Sequence, residues 1–161
     1  MTQGSRSQAR TYAEEALKLA RGVARMVTRD ALLTLGRIEL ASDQPTSAAE
    51  FLEEALRLSL DLGQKFEIAQ ALLSLAAVAS AEGDHPRAAR LFGAGDRLHG
   101  ATSPWRSISS HDMAEHRERT RDALGQDAFL VAQLAGAALT LEDVSALAVT
   151  RSPAFVSQRT R

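Results

Sequence analysis

The feature that most constrains this chain is that it repeats itself. Ala13-Glu-Glu-Ala-Leu-Lys-Leu19 returns as Leu52-Glu-Glu-Ala-Leu-Arg-Leu58, displaced by 39 positions. Ala31-Leu-Leu-Thr-Leu35 returns as Ala71-Leu-Leu-Ser-Leu75, and Ala48-Ala-Glu-Phe-Leu52 as Ala88-Ala-Arg-Leu-Phe92, both displaced by 40. A fixed period of this size is the mark of stacked helix pairs, because one pair cannot bury its apolar face without a neighbour.

Within the period, one helix carries Leu32-x-x-Leu35-Gly36 and later Leu72-x-x-Leu75-Ala76. The next carries Ala48-x-x-x-Leu52-x-x-Ala55 and later Ala88-x-x-x-Phe92-x-x-Gly95. Small residues one turn from large ones let two helices approach while a bulky side chain fills the gap. This is the arrangement of the tetratricopeptide pattern. A generic Leu/Ala bundle is the competing reading, but amphipathicity alone does not demand a shared period. Asp43-Gln-Pro45 and Gly83-Asp84-His-Pro86 punctuate the chain where a first helix must turn into a second. Glycine stops one helix, Asp84 can cap the next, and proline is tolerated in a first turn. The pattern predicts helices at 6–22, 27–41, 46–62, 64–82, 85–98, 109–124, 126–137 and 140–149.

Composition agrees with helices throughout. Alanine and leucine dominate, aromatics make up 4%, and β-branched residues never cluster into alternating runs. The 161 residues carry 19 basic and 20 acidic side chains, a net charge of −1 that gives no electrostatic reason to expect nucleic acid or an anionic membrane as main partner. The absence of cysteine removes disulfides, thiolate metal sites and cysteine nucleophiles. The start, MTQGSRSQAR, lacks the apolar core of a signal peptide, and the apolar runs Ala71 to Ala81 and Phe129 to Leu141 fall short of a membrane span. A cytoplasmic protein is expected.

The chain divides into tetratricopeptide-like repeats over 1–98, an interrupting loop over 99–108 with Gly100, Pro104 and the one Trp, capping helices over 109–149, and a basic tail over 150–161 expected to be disordered. Ser109-x-x-Asp112 and Thr140-Leu-Glu-Asp143 are start signals for two of the capping helices. The expected fold is an all-α solenoid of helix pairs with a C-terminal helical cap.

The run AARLFGAGDRLHGATSP (Ala88 to Pro104), followed by HRERTRDALGQDAFLVAQLAGAALTLEDVSALAV (His116 to Val149), resembles the end of the tetratricopeptide region of large ATP-binding LuxR-type transcriptional regulators. The matching signals are Leu91-Phe-Gly-Ala94, Leu124-Gly-x-x-Ala128-Phe129 and Leu139-Thr-Leu-Glu142. Those regulators join an N-terminal ATPase, a helical-repeat region and a C-terminal helix-turn-helix. The ATPase and a clear helix-turn-helix have no counterpart here, so the resemblance implies a piece of such a regulator or a free-standing relative.

Several constellations invite a chemical reading. Ser109-Ser110-His111-Asp112 has the residue types of a hydrolase triad, but neighbours at one helix start cannot face each other as nucleophile, base and orienter, and capping explains them better. His111 with Glu115, and Asp112 with His116, stand at metal-clasping spacing. Two ligands per face is below what catalytic zinc takes, and solvated ion pairs are the simpler account. Gly93-x-Gly95-x-x-x-x-Gly100 imitates a phosphate loop without the preceding strand that such a loop needs. Trp105 reads as a plug over the end of a core rather than a ligand platform. Residues 141–161 resemble a helix-turn-helix, yet the turn glycine is missing and Pro153 would break the second helix.

A non-catalytic interaction scaffold without cofactor or metal is therefore expected, with a protein or peptide as partner or the rest of a larger regulator. By analogy with the family, its concave surface places Asp30, Leu33 and Arg37 beside Gln70, Leu73 and Ala77. A small DNA-binding protein using 141–161 is the alternative, and an enzyme built around the His-rich helix is the third reading. The stripe Ala9, Ala13, Ala16, Leu17 and Ala20 on the first helix has one side left uncovered, which predicts self-association through residues 6–22 as a homodimer, or fraying there.

Overall fold

The computed structural model describes residues 3–20, 24–102 and 111–150. Its described residues form eight helices and no strand: α1 (Gln3–Ala20), α2 (Arg25–Ala41), α3 (Pro45–Asp61), α4 (Lys65–Ala81), α5 (His85–Thr102), α6 (His111–Leu124), α7 (Gln126–Ala137) and α8 (Leu141–Val149). The expected all-helical class holds.

The repeat is visible first in the turns. Asp43, Gly63 and Gly83 stand 20 residues apart, each at positive φ of 58°, 64° and 80°. Each donates its amide three residues back, to Leu40, Leu60 and Ser80, and the next residue reaches five back, to Glu39, Ser59 and Ala79. This double closure satisfies the orphan carbonyls of a helix end with a single left-handed residue. Two such turns make one 40-residue unit, so α2 and α4, like α3 and α5, begin 40 residues apart. Asp84 caps α5 as expected, accepting the Arg87 amide at 3.3 Å. Thr140 caps α8, accepting from the Asp143 amide at 3.1 Å.

Asp43 is the one non-glycine residue at positive φ among those described. The left-handed region crowds any Cβ, and glycine avoids that strain. Asp43→Gly is expected to stabilise the fold by about 0.5–1 kcal/mol. Chemical denaturation reads it, and an unchanged or lower midpoint would show that the Asp43 side chain contributes more than its backbone costs.

Each of the first five helices packs on its chain neighbour, with α2 also touching α4. The small-opposite-large pattern forms the contact. A Cβ on Gly36 would lie 2.5 Å from Cγ of Leu52, and one on Gly95 would lie 2.7 Å from Cδ2 of Leu73. Leu52, Phe92, Ala48 and Ala88 are fully buried. α1 lays Ala13 and Leu17 against α2, and Arg10 of α1 pairs with the buried carboxylate of Glu39. Arg29, also buried, ties the start of α2 to Gln64 in the turn after α3.

α6, α7 and α8 fold back on the end of this array. α6 packs on α4 and α5, α7 on α5 and α6, and α8 reaches α3, α4 and α5. The expected loop over 99–108 is corrected in part. α5 runs to Thr102, so residues 99–102 are helical. The His99 ring lies 5.7 Å from that of Phe66, which holds this last turn onto α4. The rest of that loop with Trp105, the Ser109 start signal, and the tail over 151–161 lie outside the described residues.

Candidate functional site

The side chains proposed for the concave face divide between exposed and buried. Asp30 and Arg37 of α2 are exposed and Gln70 of α4 is half-buried. Leu33, Leu73 and Ala77 are only 6%, 5% and 0% exposed. Leu73 turns into the notch left by Gly95 on α5, so it serves the contact within a pair. Its apolar identity was the signal that family analogy overrode. Asp30 is exposed but engaged, with Arg29 Nε and Nη2 donating to it at 3.0 Å and 2.6 Å.

A groove of about 280 Å³ does open beside Arg37, where the ends of α2 and α4 meet α6. Leu40, Ala41, Ala81 and Met113 give it an apolar lining, while Arg6, Arg37, His116 and Arg119 bring basic side chains, and Asp43 and Glu115 acidic ones. Arg6, His116 and Arg119 were not foreseen as one surface, because α6 obeys no period that would place it here.

Specific contacts hold α6 in position. Its carbonyl at His116 accepts from the Ser80 hydroxyl of α4 at 2.9 Å and from the Thr120 hydroxyl at 2.8 Å. Arg117 forks onto Asp96 of α5 at 2.7 Å and 3.0 Å, with its guanidinium carbon 4.4 Å from the centre of the Phe92 ring. A bidentate ion pair stacked on an aromatic face is stiffer than a single surface pair. The α6 wall of the groove is thereby preformed.

The cations differ in how they are engaged. Arg6 donates to the Ala41 carbonyl at 3.0 Å, placing positive charge at the C-terminal end of α2 where the helix dipole favours it. Arg119 reaches Glu115 at 3.5 Å across one exposed turn, a weak tie. Arg37 makes no hydrogen bond or ion pair with another described residue and projects at the groove.

Of the metal-spaced pairs, Glu115 turns to Arg119, and the side chains of His111 and Asp112 lie outside the described residues. Among the described residues no three His, Asp or Glu side chains gather as a metal site would need. The glycines that imitate a phosphate loop sit inside α5. Gly93 and Gly95 are buried contact points, and a Cβ on Gly93 would meet the Gln133 carbonyl oxygen of α7 at 2.0 Å. Among the described residues no helix is long and apolar enough to cross a membrane.

No family model, no curated protein and no solved structure matches this chain.

Proposed function

We propose that this chain is a non-catalytic protein-binding scaffold, a tetratricopeptide-like solenoid serving as the repeat module, or a free-standing relative, of a LuxR-type ATPase regulator. The observation that carries this reading is the 20-residue repetition of one turn geometry at Asp43, Gly63 and Gly83, which sets successive helix pairs 40 residues apart. Regular stacking of this kind produces the extended grooved surfaces that repeat proteins use for partners. In this reading α6 follows α4 as α4 follows α2, and the groove between them receives the partner. Its uncommitted Arg37 and loosely tied Arg119, set around a lining of Leu40, Ala81 and Met113, suit a segment carrying carboxylates among apolar residues.

Two exposed apolar faces fit a module within a larger assembly. On α7, Leu130, Val131 and Leu134 face solvent, and on α1 Tyr12 and Leu19 are 69% and 80% exposed. Further helices, or a second copy meeting α1 as a homodimer, would cover such surfaces. Sedimentation of the wild type against Tyr12→Glu/Leu19→Glu tests the homodimer, which predicts a concentration-dependent dimer only in the former. The DNA-binding alternative is disfavoured by the surroundings of α8, whose Val144 and Ala148 are buried and whose flank carries Glu50, Glu53 and Glu54 of α3.

A photo-crosslinking residue at position 37, compared with one at the exposed Lys65 of α4, tests the groove. Position 37 is expected to capture a defined partner or regulator domain, and Arg119→Glu in the same chain is expected to abolish that capture. Capture from position 65 alone would move the interface off the groove and sink this placement.

A further inference from the structure

The four most exposed large apolar side chains among the described residues lie on only two helices, Tyr12 and Leu19 on α1 and Val131 and Leu134 on α7, each at 67% exposure or more. α1 packs on α2 at the start of the array, and α7 packs on α5 and α6 at its end. On α1, Tyr12 and Leu19 are seven residues apart, two turns along one face, with the half-buried Ala16 between them. On α7, the exposed Ala128 and Ala135 have that same spacing, and Val131 rises between them. Laid antiparallel, the two helices match large to small: Leu19 over Ala128, Tyr12 over Ala135 and Val131 over Ala16.

Charge selects the same direction. Lys18 stands in the last turn of α1 and Asp127 in the first turn of α7, and both are exposed. Antiparallel packing brings the two side by side with opposite sign. A symmetric α1–α1 contact would instead centre between Tyr12 and Leu19 and bring the exposed Glu15 of both copies together, where like charges repel. We propose, on the reading that a second copy of this chain meets α1, that this copy covers α1 with its own α7, so that self-association joins unlike faces of the molecule. Burial of Tyr12, Leu19, Val131 and Leu134 supplies the affinity, and the Lys18–Asp127 pair sets the orientation. Closed as a ring of two, the contact forms twice and assembly stops at a dimer.

Sedimentation of the full chain over a range of concentrations tests the pairing, with Tyr12→Glu/Leu19→Glu as the α1 variant and Val131→Lys/Leu134→Lys as the α7 variant. All four positions are exposed, so the helices themselves keep their packing. Each variant alone is expected to raise the concentration at which half the chain is dimeric by at least about thirtyfold, the loss of one hot-spot anchor. An equimolar mixture of the two is expected to recover the dimer. There one α1–α7 contact is intact, and the other sets glutamate against lysine. A dimer that survives the α7 substitutions but not the α1 ones would assign the contact to α1 with α1, overturning the pairing while the homodimer reading stands. A dimer that survives the α1 substitutions, or a mixture that stays monomeric, overturns the pairing as well. A wild type that is monomeric at every concentration overturns both.

Discussion

Gly93→Ala and Gly136→Ala are each expected to lower stability by about 3 kcal/mol, the upper end for overpacking a core. The two glycines form a reciprocal contact between α5 and α7. A Cβ on Gly93 would lie 2.0 Å from the Gln133 carbonyl oxygen, and one on Gly136 would lie 1.9 Å from that of Arg90. Each glycine sits three residues from the carbonyl that its partner faces, so the helices cross antiparallel with their backbones touching. What blocks the methyl is a helix backbone, which cannot rotate aside as a leucine tip can, so α7 must move away from α5. Gly100 supplies the control. It lies in the same helix with nothing within 4 Å of a Cβ, and alanine there should gain roughly 0.5–1 kcal/mol, the ordinary benefit of replacing a helical glycine. Urea denaturation of the three variants decides the matter. The double variant at 93 and 136 should cost less than the two singles combined, because one separation relieves both clashes. If Gly93→Ala and Gly100→Ala had equal midpoints, the backbone contact would be disproved.

Arg87→Ala is expected to cost about 2–3 kcal/mol, the range for hydrogen bonds to a charged group. Arg87 is 6% exposed, near the start of α5. Its Nε donates to the Leu147 carbonyl at 3.0 Å and its Nη2 to the Ala148 carbonyl, both in the last turn of α8. Glu82 lies 3.9 Å from Nη1 on the other side. A buried guanidinium thus closes a helix C-terminus that the chain brings back from 60 residues away. Removing it strands both carbonyls and leaves the Glu82 carboxylate without this cation, so the loss exceeds that of a surface pair. Arg87→Lys should recover part of the loss, since one ammonium cannot reproduce the fork. Hydrogen exchange locates the effect: amides of 141–149 should lose protection while those of α2 and α3 keep it. Uniform loss across the molecule would show that Arg87 supports the whole core rather than the docking of α8.

Much of the helical architecture was legible because its signals are local. The helix ends at Asp43, Gly63 and Gly83 depend on the φ of one residue and on carbonyls within five positions of it. The caps at Asp84 and Thr140 likewise need only the following turn. The pairing of Gly36 with Leu52 spans 16 positions and recurs a period later as a small-large pattern, so repetition disclosed it. Where the local signal was weaker the boundary slipped, as at residues 99–102, which a ring contact with Phe66 keeps helical.

The surfaces were decided at longer range. Leu33, Leu73 and Ala77 occupy the right register for a concave face, yet their burial follows from how closely the paired helices approach, a distance that no single residue type encodes. Gly93 and Gly136 are 43 positions apart, and nothing near either one marks it as a partner of the other's helix. α6 follows no period, so only the packed array could bring Arg119 opposite Arg37 and Arg6. By itself the sequence determined the helices, their turns and their repeat, because those follow from backbone preferences and caps within a few residues. Only the tertiary structure decided which faces meet and which are left open as grooves, because interhelical approach depends on side-chain volumes contributed by segments far apart in the chain.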